Sequence, residues 1–168
     1  ESIFLNTVNV GTEGDWNEKG IDAAHAALSE PLVSTANAGF LRSDAALSVI
    51  FVSDEDDAST MTPTEFVQFL QGIKADPNNV RVSGFLGLSQ YSDPLVCNAE
   101  GVGYKYLDVI SATGGVSAHV CTAEFEAAFN AVTISSAGLR ASFVLEKEPV
   151  SDSRITVYVD GQVVAQDG

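Results

Sequence analysis

Four consecutive carboxylates, Asp54, Glu55, Asp56 and Asp57, follow the largely apolar run 47–52 after a single serine in the stretch ALSVIFVSDEDDAS. Their oxygens are hard ligands, suited to Mg²⁺, Ca²⁺ or Mn²⁺ rather than to zinc or copper. So much like charge in one loop is unfavourable unless water or a cation meets it. Little else in the chain has the types and spacing for chemistry. His25 and His119 share no motif and read as ordinary surface or packing residues. There is no GxSxG nucleophile elbow, no GxxxxGK[ST] phosphate loop and no HExxH pair. An EF-hand loop starting at Asp54 fails because its sixth position is Ser59 and not Gly.

The elements around this loop decide what it can do. Leu47, Val49, Ile50, Phe51 and Val52 show almost no polar alternation, the pattern of a strand buried on both faces in the middle of a parallel sheet. Open α/β sheets bind their ligands at the carboxyl ends of such strands, where the carboxylates stand. Upstream, residues 3–10 have strand composition, and Gly11-Thr12-Glu13-Gly14 is a glycine-bearing loop. Trp16, Ala23, Ala24, Ala27 and Leu28 then recur at helical spacing, predicting a helix from Asp15 to about residue 30 with Trp16 as a packing residue. Residues 31–44 read as a connection with Phe40 and Leu41 tucked against the core.

Downstream, Thr62-Pro63-Thr64-Glu65 has the composition of a capping box with proline in the first turn, opening a helix whose apolar face is Phe66, Phe69, Leu70 and Ile73. Residues 80–88 form the next strand, with Gly84 and Gly87 permitting close backbone approach. A polar loop over 90–103 leads to a helix over 104–112, with Tyr106, Leu107 and Ile110 inward, stopped by Gly114-Gly115. Residues 116–120 suit a short edge strand, and Thr122 opens a last helix facing inward with Phe125, Ala128, Phe129 and Val132. Beyond Gly138 come short alternating strands at 142–145, 154–159 and 162–165, the last two joined by the hairpin signal Asp160-Gly161. The chain therefore divides into an α/β unit over 1–138 and a β extension, or the start of a β module, over 142–168.

Composition narrows the function. Eight Lys+Arg against 23 Asp+Glu give a formal charge of -15, which disfavours nucleic acid and anionic membrane surfaces. No apolar run is long enough to insert in a membrane. The chain has neither an initiator Met nor a visible targeting segment and reads as a processed product or a piece of something longer. Cys97 and Cys121 lack CxxC spacing. A disulfide between them suits an oxidising compartment, extracellular, cell-surface or periplasmic, with two independent buried thiols as the alternative.

The segments VNVGTEGDWNEKGIDAAHAAL, VIFVSDEDDAS, VRVSGFLGL and YKYLDVISATGG, in this order, resemble von Willebrand factor A-type domains of bacterial secreted and cell-surface proteins over about residues 3–135. The resemblance implies a doubly wound, mostly parallel sheet with helices on both faces and a metal-ion-dependent adhesion site at its top. It carries Asp54 onto the acidic metal position after the strand and Thr12 onto the threonine ligand, with Glu13 and Asp56 as weaker oxygen donors. The implied ion is Mg²⁺ or Ca²⁺. The family's first metal motif, Asp-x-Ser-x-Ser, is absent, so the chain resembles the carboxyl-terminal portion of such a domain. Completing the sheet then calls for a missing segment, a second chain or a rearranged sheet.

Three functions follow from these readings. The foremost is a non-enzymatic adhesion or protein-binding module whose cation is completed by an acidic residue of a protein or cell-surface ligand. The second is a metal-free structural or assembly module of a surface protein. A metal-assisted hydrolase comes third, because no general base, oxyanion donor or nucleophile can be assigned.

Overall fold

The computed structural model describes residues 9, 14, 16–88, 99–136, 156–159 and 161–164. Its centre is a parallel sheet of three strands in the order β1 (Leu47–Ser53), β2 (Val80–Leu86), β3 (Ser117–His119). Leu47 lies opposite Val80 and Ser53 opposite Leu86, while Gly84 to Leu86 pair with Ser117 to His119. Among the described residues four α-helices accompany the strands: α1 (Gly20–Ala27), α2 (Pro63–Ile73), α3 (Tyr104–Thr113) and α4 (Phe125–Ser136). The protein is thus a mixed α/β fold with a parallel sheet flanked by helices.

Strand alternation sorts the side chains between two faces. Leu47 and Phe51 of β1 share one face with Val80, Val82 and Leu86 of β2, where they meet Ile21, Phe66, Leu70, Tyr106, Val109 and Ile110 in a single core. Phe51 lies 4.6 Å from the ring of Tyr106 and 6.3 Å from that of Phe66, centroid to centroid. The opposite face of β2 receives α4: Phe85 stacks on Phe125 at 5.1 Å, and the Ser83 and Ser135 hydroxyls lie 3.3 Å apart.

Several elements form for the local reasons their sequences give. Thr62 Oγ1 accepts from the Glu65 amide at 3.3 Å and the Glu65 carboxylate accepts from the Thr62 amide at 2.8 Å, closing the capping box of α2. Gly114 takes the left-handed conformation, φ 67°, that ends α3. At Gly87 a Cβ would stand 1.8 Å from the Gly101 carbonyl oxygen, so only glycine lets the two backbones approach. Strands β4 (Val157–Val159) and β5 (Gln162–Val164) form the expected antiparallel hairpin as a separate two-stranded sheet.

Other expectations are corrected. Among the described residues β1 is an edge strand and is covered on one face: Ile50 is 47 % and Val52 68 % exposed. Its unbroken apolar run reflects a second face that α4, seated over β2, leaves open. Helix α1 starts at Gly20 rather than Asp15, and Trp16 is 92 % exposed instead of packed. The chain before Gly20 is held by the acidic loop, which takes it out of helical register. Phe40 is 64 % exposed, whereas Leu41 does pack on the core. Phe125 and Phe129 are half exposed at the rim of the sheet, and of the expected inward face of α4 only Val132 is fully buried. The strand expected over 142–145, Cys97 and all but residue 9 of the strand expected over 3–10 lie outside the described residues.

Candidate functional site

The acidic loop emerges at the carboxyl end of β1, as its sequence requires, but three of its four carboxylates are engaged by the protein itself. Asp57 is buried, and its carboxylate accepts from the Ile21 amide at 3.1 Å, the Ser59 amide at 3.0 Å and the Ser59 hydroxyl at 2.9 Å. The Tyr106 phenol also bonds to it. One carboxylate thereby ties the first turn of α1, the loop and the first turn of α3. Burial, then the negative charge of Asp57, holds the Tyr106 phenol far above its ordinary pKa.

The neighbouring carboxylates repeat the pattern at smaller scale. Asp56 Oδ1 accepts from the Asp57 amide at 3.0 Å and the Lys105 amide at 2.9 Å, an anion at the start of α3. Glu55 Oε1 accepts from the Glu18 amide at 3.2 Å. Glu18 in turn accepts from the Ser53 hydroxyl at 2.6 Å, and its carbonyl accepts from the Ala58 amide at 2.7 Å. From the other side, the Asp22 amide donates to Ser59 Oγ at 2.8 Å. The Asp22 carboxylate accepts from the amides of Thr60 at 3.0 Å and Met61 at 3.2 Å. The Thr60 amide bond is the chief reason the Asp22 carboxyl sits below its ordinary range, with partial burial opposing it.

Asp54 is different. It is half-buried and its carbonyl accepts from the Gly101 amide at 2.9 Å, but among the described residues its carboxylate accepts no hydrogen bond. The structure therefore separates Asp54, the family-matched acidic position, from three neighbours that act as internal hydrogen-bond acceptors. Asp56, a weaker metal candidate, belongs with the latter. Thr12 and Glu13, the other candidate ligands, lie outside the described residues. Among the described residues no three His, Cys, Asp or Glu side chains are grouped to hold a metal ion. One available carboxylate does not by itself make a cation site, so a cation here would need further ligands from residues not described.

Residues that sequence reading did not connect with the loop, Glu18, Ile21, Asp22, Ser59 and Lys105, prove to be the framework of this rim together with Tyr106, expected only to face inward. Ser59, two residues after Asp57, is the one local hint, since Asp and Ser at that spacing favour a turn closed by side-chain bonds. Cys121 is buried and disulfide-bonded, while Cys97 lies outside the described residues. His119 Nδ1 accepts from the Cys121 amide at 2.9 Å, a local structural role. Among the described residues no helix is long and apolar enough to cross a membrane. No family model matches the chain, and neither the curated proteins nor the solved structures contain a match to it.

Proposed function

We propose that this chain is a non-enzymatic protein-binding module, built like the carboxyl-terminal part of a von Willebrand factor A-type domain and working outside the cytoplasm. Its contact surface is the rim at the carboxyl end of the parallel sheet. The observation that carries the reading is the state of Asp54: in a loop whose other carboxylates are spent on backbone amides, this one is left over at the sheet position where α/β folds place ligands. Asp54 would hold Mg²⁺ or Ca²⁺ directly or through water, with Thr12 and Glu13 as further oxygen donors. The ion would supply an open coordination position for an acidic group of the partner.

The test is calcium and magnesium calorimetry on the chain and on Asp54→Ala. Saturable binding lost in the variant, with unchanged thermal stability, supports the reading. An unmodified chain that binds neither ion removes the cation from it.

A second reading, a metal-free assembly module, is favoured by the edge that β1 presents among the described residues, with Ile50 and Val52 exposed. An unpaired parallel edge offers its backbone groups to another strand, supplied by a second chain or by a segment completing the sheet. A concentration-dependent mass in sedimentation that is abolished by Val52→Lys, together with no ion binding, would favour this second reading.

A further inference from the structure

Trp16 is the chain's single tryptophan and, at 92 % exposure, the most exposed large apolar side chain among the described residues. Two residues on, Glu18 is clipped to the acidic loop through its amide on Glu55, its carboxylate on the Ser53 hydroxyl and its carbonyl on the Ala58 amide. Trp16 thus stands two residues before a segment tied to Ser53 and Glu55, the two chain neighbours of Asp54. Among the described residues, Lys105 is committed to the Ser59 carbonyl at 3.1 Å and Lys19 acts on Asp22. The chain therefore presents an uncovered aromatic side chain close to this carboxylate-rich segment, on a molecule of charge -15.

We propose that Trp16 and Asp54 together receive an arginine-bearing basic segment of a protein partner, the guanidinium lying on the indole and pairing with the carboxylate. Planar guanidinium suits both contacts at once, stacking on aromatic faces and bonding carboxylates in a fork. Tryptophan and arginine are also the residues most enriched at the energetic centres of protein interfaces. This contact needs no metal ion, so it stands or falls apart from the cation reading above.

The single tryptophan makes the test direct. The chain is titrated with a hexa-arginine peptide in EDTA while indole emission is followed, with Asp54→Asn and, as a remote acidic control on α4, Glu126→Gln. Calorimetry with Trp16→Ala supplies a readout that does not depend on the fluorophore. The proposal expects a saturable emission change, affinity roughly fivefold weaker in Asp54→Asn and Trp16→Ala, and no loss in Glu126→Gln. A hexa-lysine peptide is expected to bind more weakly. No emission change, or equal weakening in all three variants as for diffuse charge attraction, overturns it. So does an emission change produced by calcium and not by the peptide.

Discussion

Replacing Asp57 should damage the fold far more than replacing Asp54, although the two stand three residues apart in one acidic run. Asp57 is 4 % exposed and receives the Ile21 amide, the Ser59 amide and hydroxyl, and the Tyr106 phenol. Hydrogen bonds to a charged acceptor contribute about 1.5–3 kcal/mol each, and a buried donor left without an acceptor costs about 1–3 kcal/mol. Asp57→Ala strands two backbone amides at once, in helix α1 and in the loop, for a loss of about 3–5 kcal/mol after relaxation. Against a typical total of about 5–15 kcal/mol this threatens folding outright. Asp57→Asn keeps one acceptor oxygen but turns an amide group toward remaining donors, and should lose about 2 kcal/mol. Asp54→Ala should stay within about 0.5 kcal/mol of the parent. Urea denaturation of the three variants reads these differences directly. Asp57→Asn and Asp54→Ala with equal midpoints would refute the assignment of Asp57 as the tie between α1, the loop and α3.

Gly87→Ala places a methyl group against the Gly101 carbonyl at 1.8 Å before relaxation, and should lower stability by about 1–3 kcal/mol in thermal denaturation. Thr62→Ala opens the capping box of α2 and should lose about 1 kcal/mol, measurable by the same denaturation. The Asp22 carboxyl lies below its ordinary value of 3.8 in the fold, so it stabilises above that value and the contribution disappears as pH falls through the lowered one. Asp22→Asn should accordingly flatten the acid limb of the stability profile below about pH 4, seen by circular dichroism across an acid titration. The raised Tyr106 phenol has the opposite sign: its contribution is intact below the ordinary value of 10.0 and fades above it. Phenolate absorbance should show one tyrosine titrating only with alkaline unfolding.

What could be read from the chain beforehand was what is decided locally. The strand over 47–53, the capping box at Thr62, the left-handed stop at Gly114 and the Asp-Gly hairpin each rest on neighbours within a few residues, and each is found in place. The helix beginning at Gly20 was misplaced because its start is set from far away: its Ile21 amide is satisfied by Asp57, 36 residues on, and its Asp22 amide by Ser59, 37 residues on. No local cap marks that start, since Lys19 offers no side-chain acceptor. The burial of β1 was misjudged for a related reason. An apolar strand reads alike whether both faces are covered or one awaits a cover, and sequence pattern reports the chemistry of a face, not its neighbour.

The acidic loop shows why counting carboxylates is a poor guide to a cation site. Like charges accumulate tolerably here because each meets a different set of donors: Asp57 the buried amides of α1 and the loop, Asp56 the first turn of α3, Glu55 the chain leading into α1. Amides at the first turn of a helix carry partial positive charge and accept anions without any metal. The two helix starts thus account for Asp56 and Asp57, and the chain leading into α1 accounts for Glu55. If that is right, function and stability separate cleanly along one short segment. Substitutions at 55–57 should alter stability and change binding only through it, whereas Asp54→Asn should alter binding with the fold intact. A variant at Asp56 that kept full stability yet lost partner binding would place the boundary elsewhere.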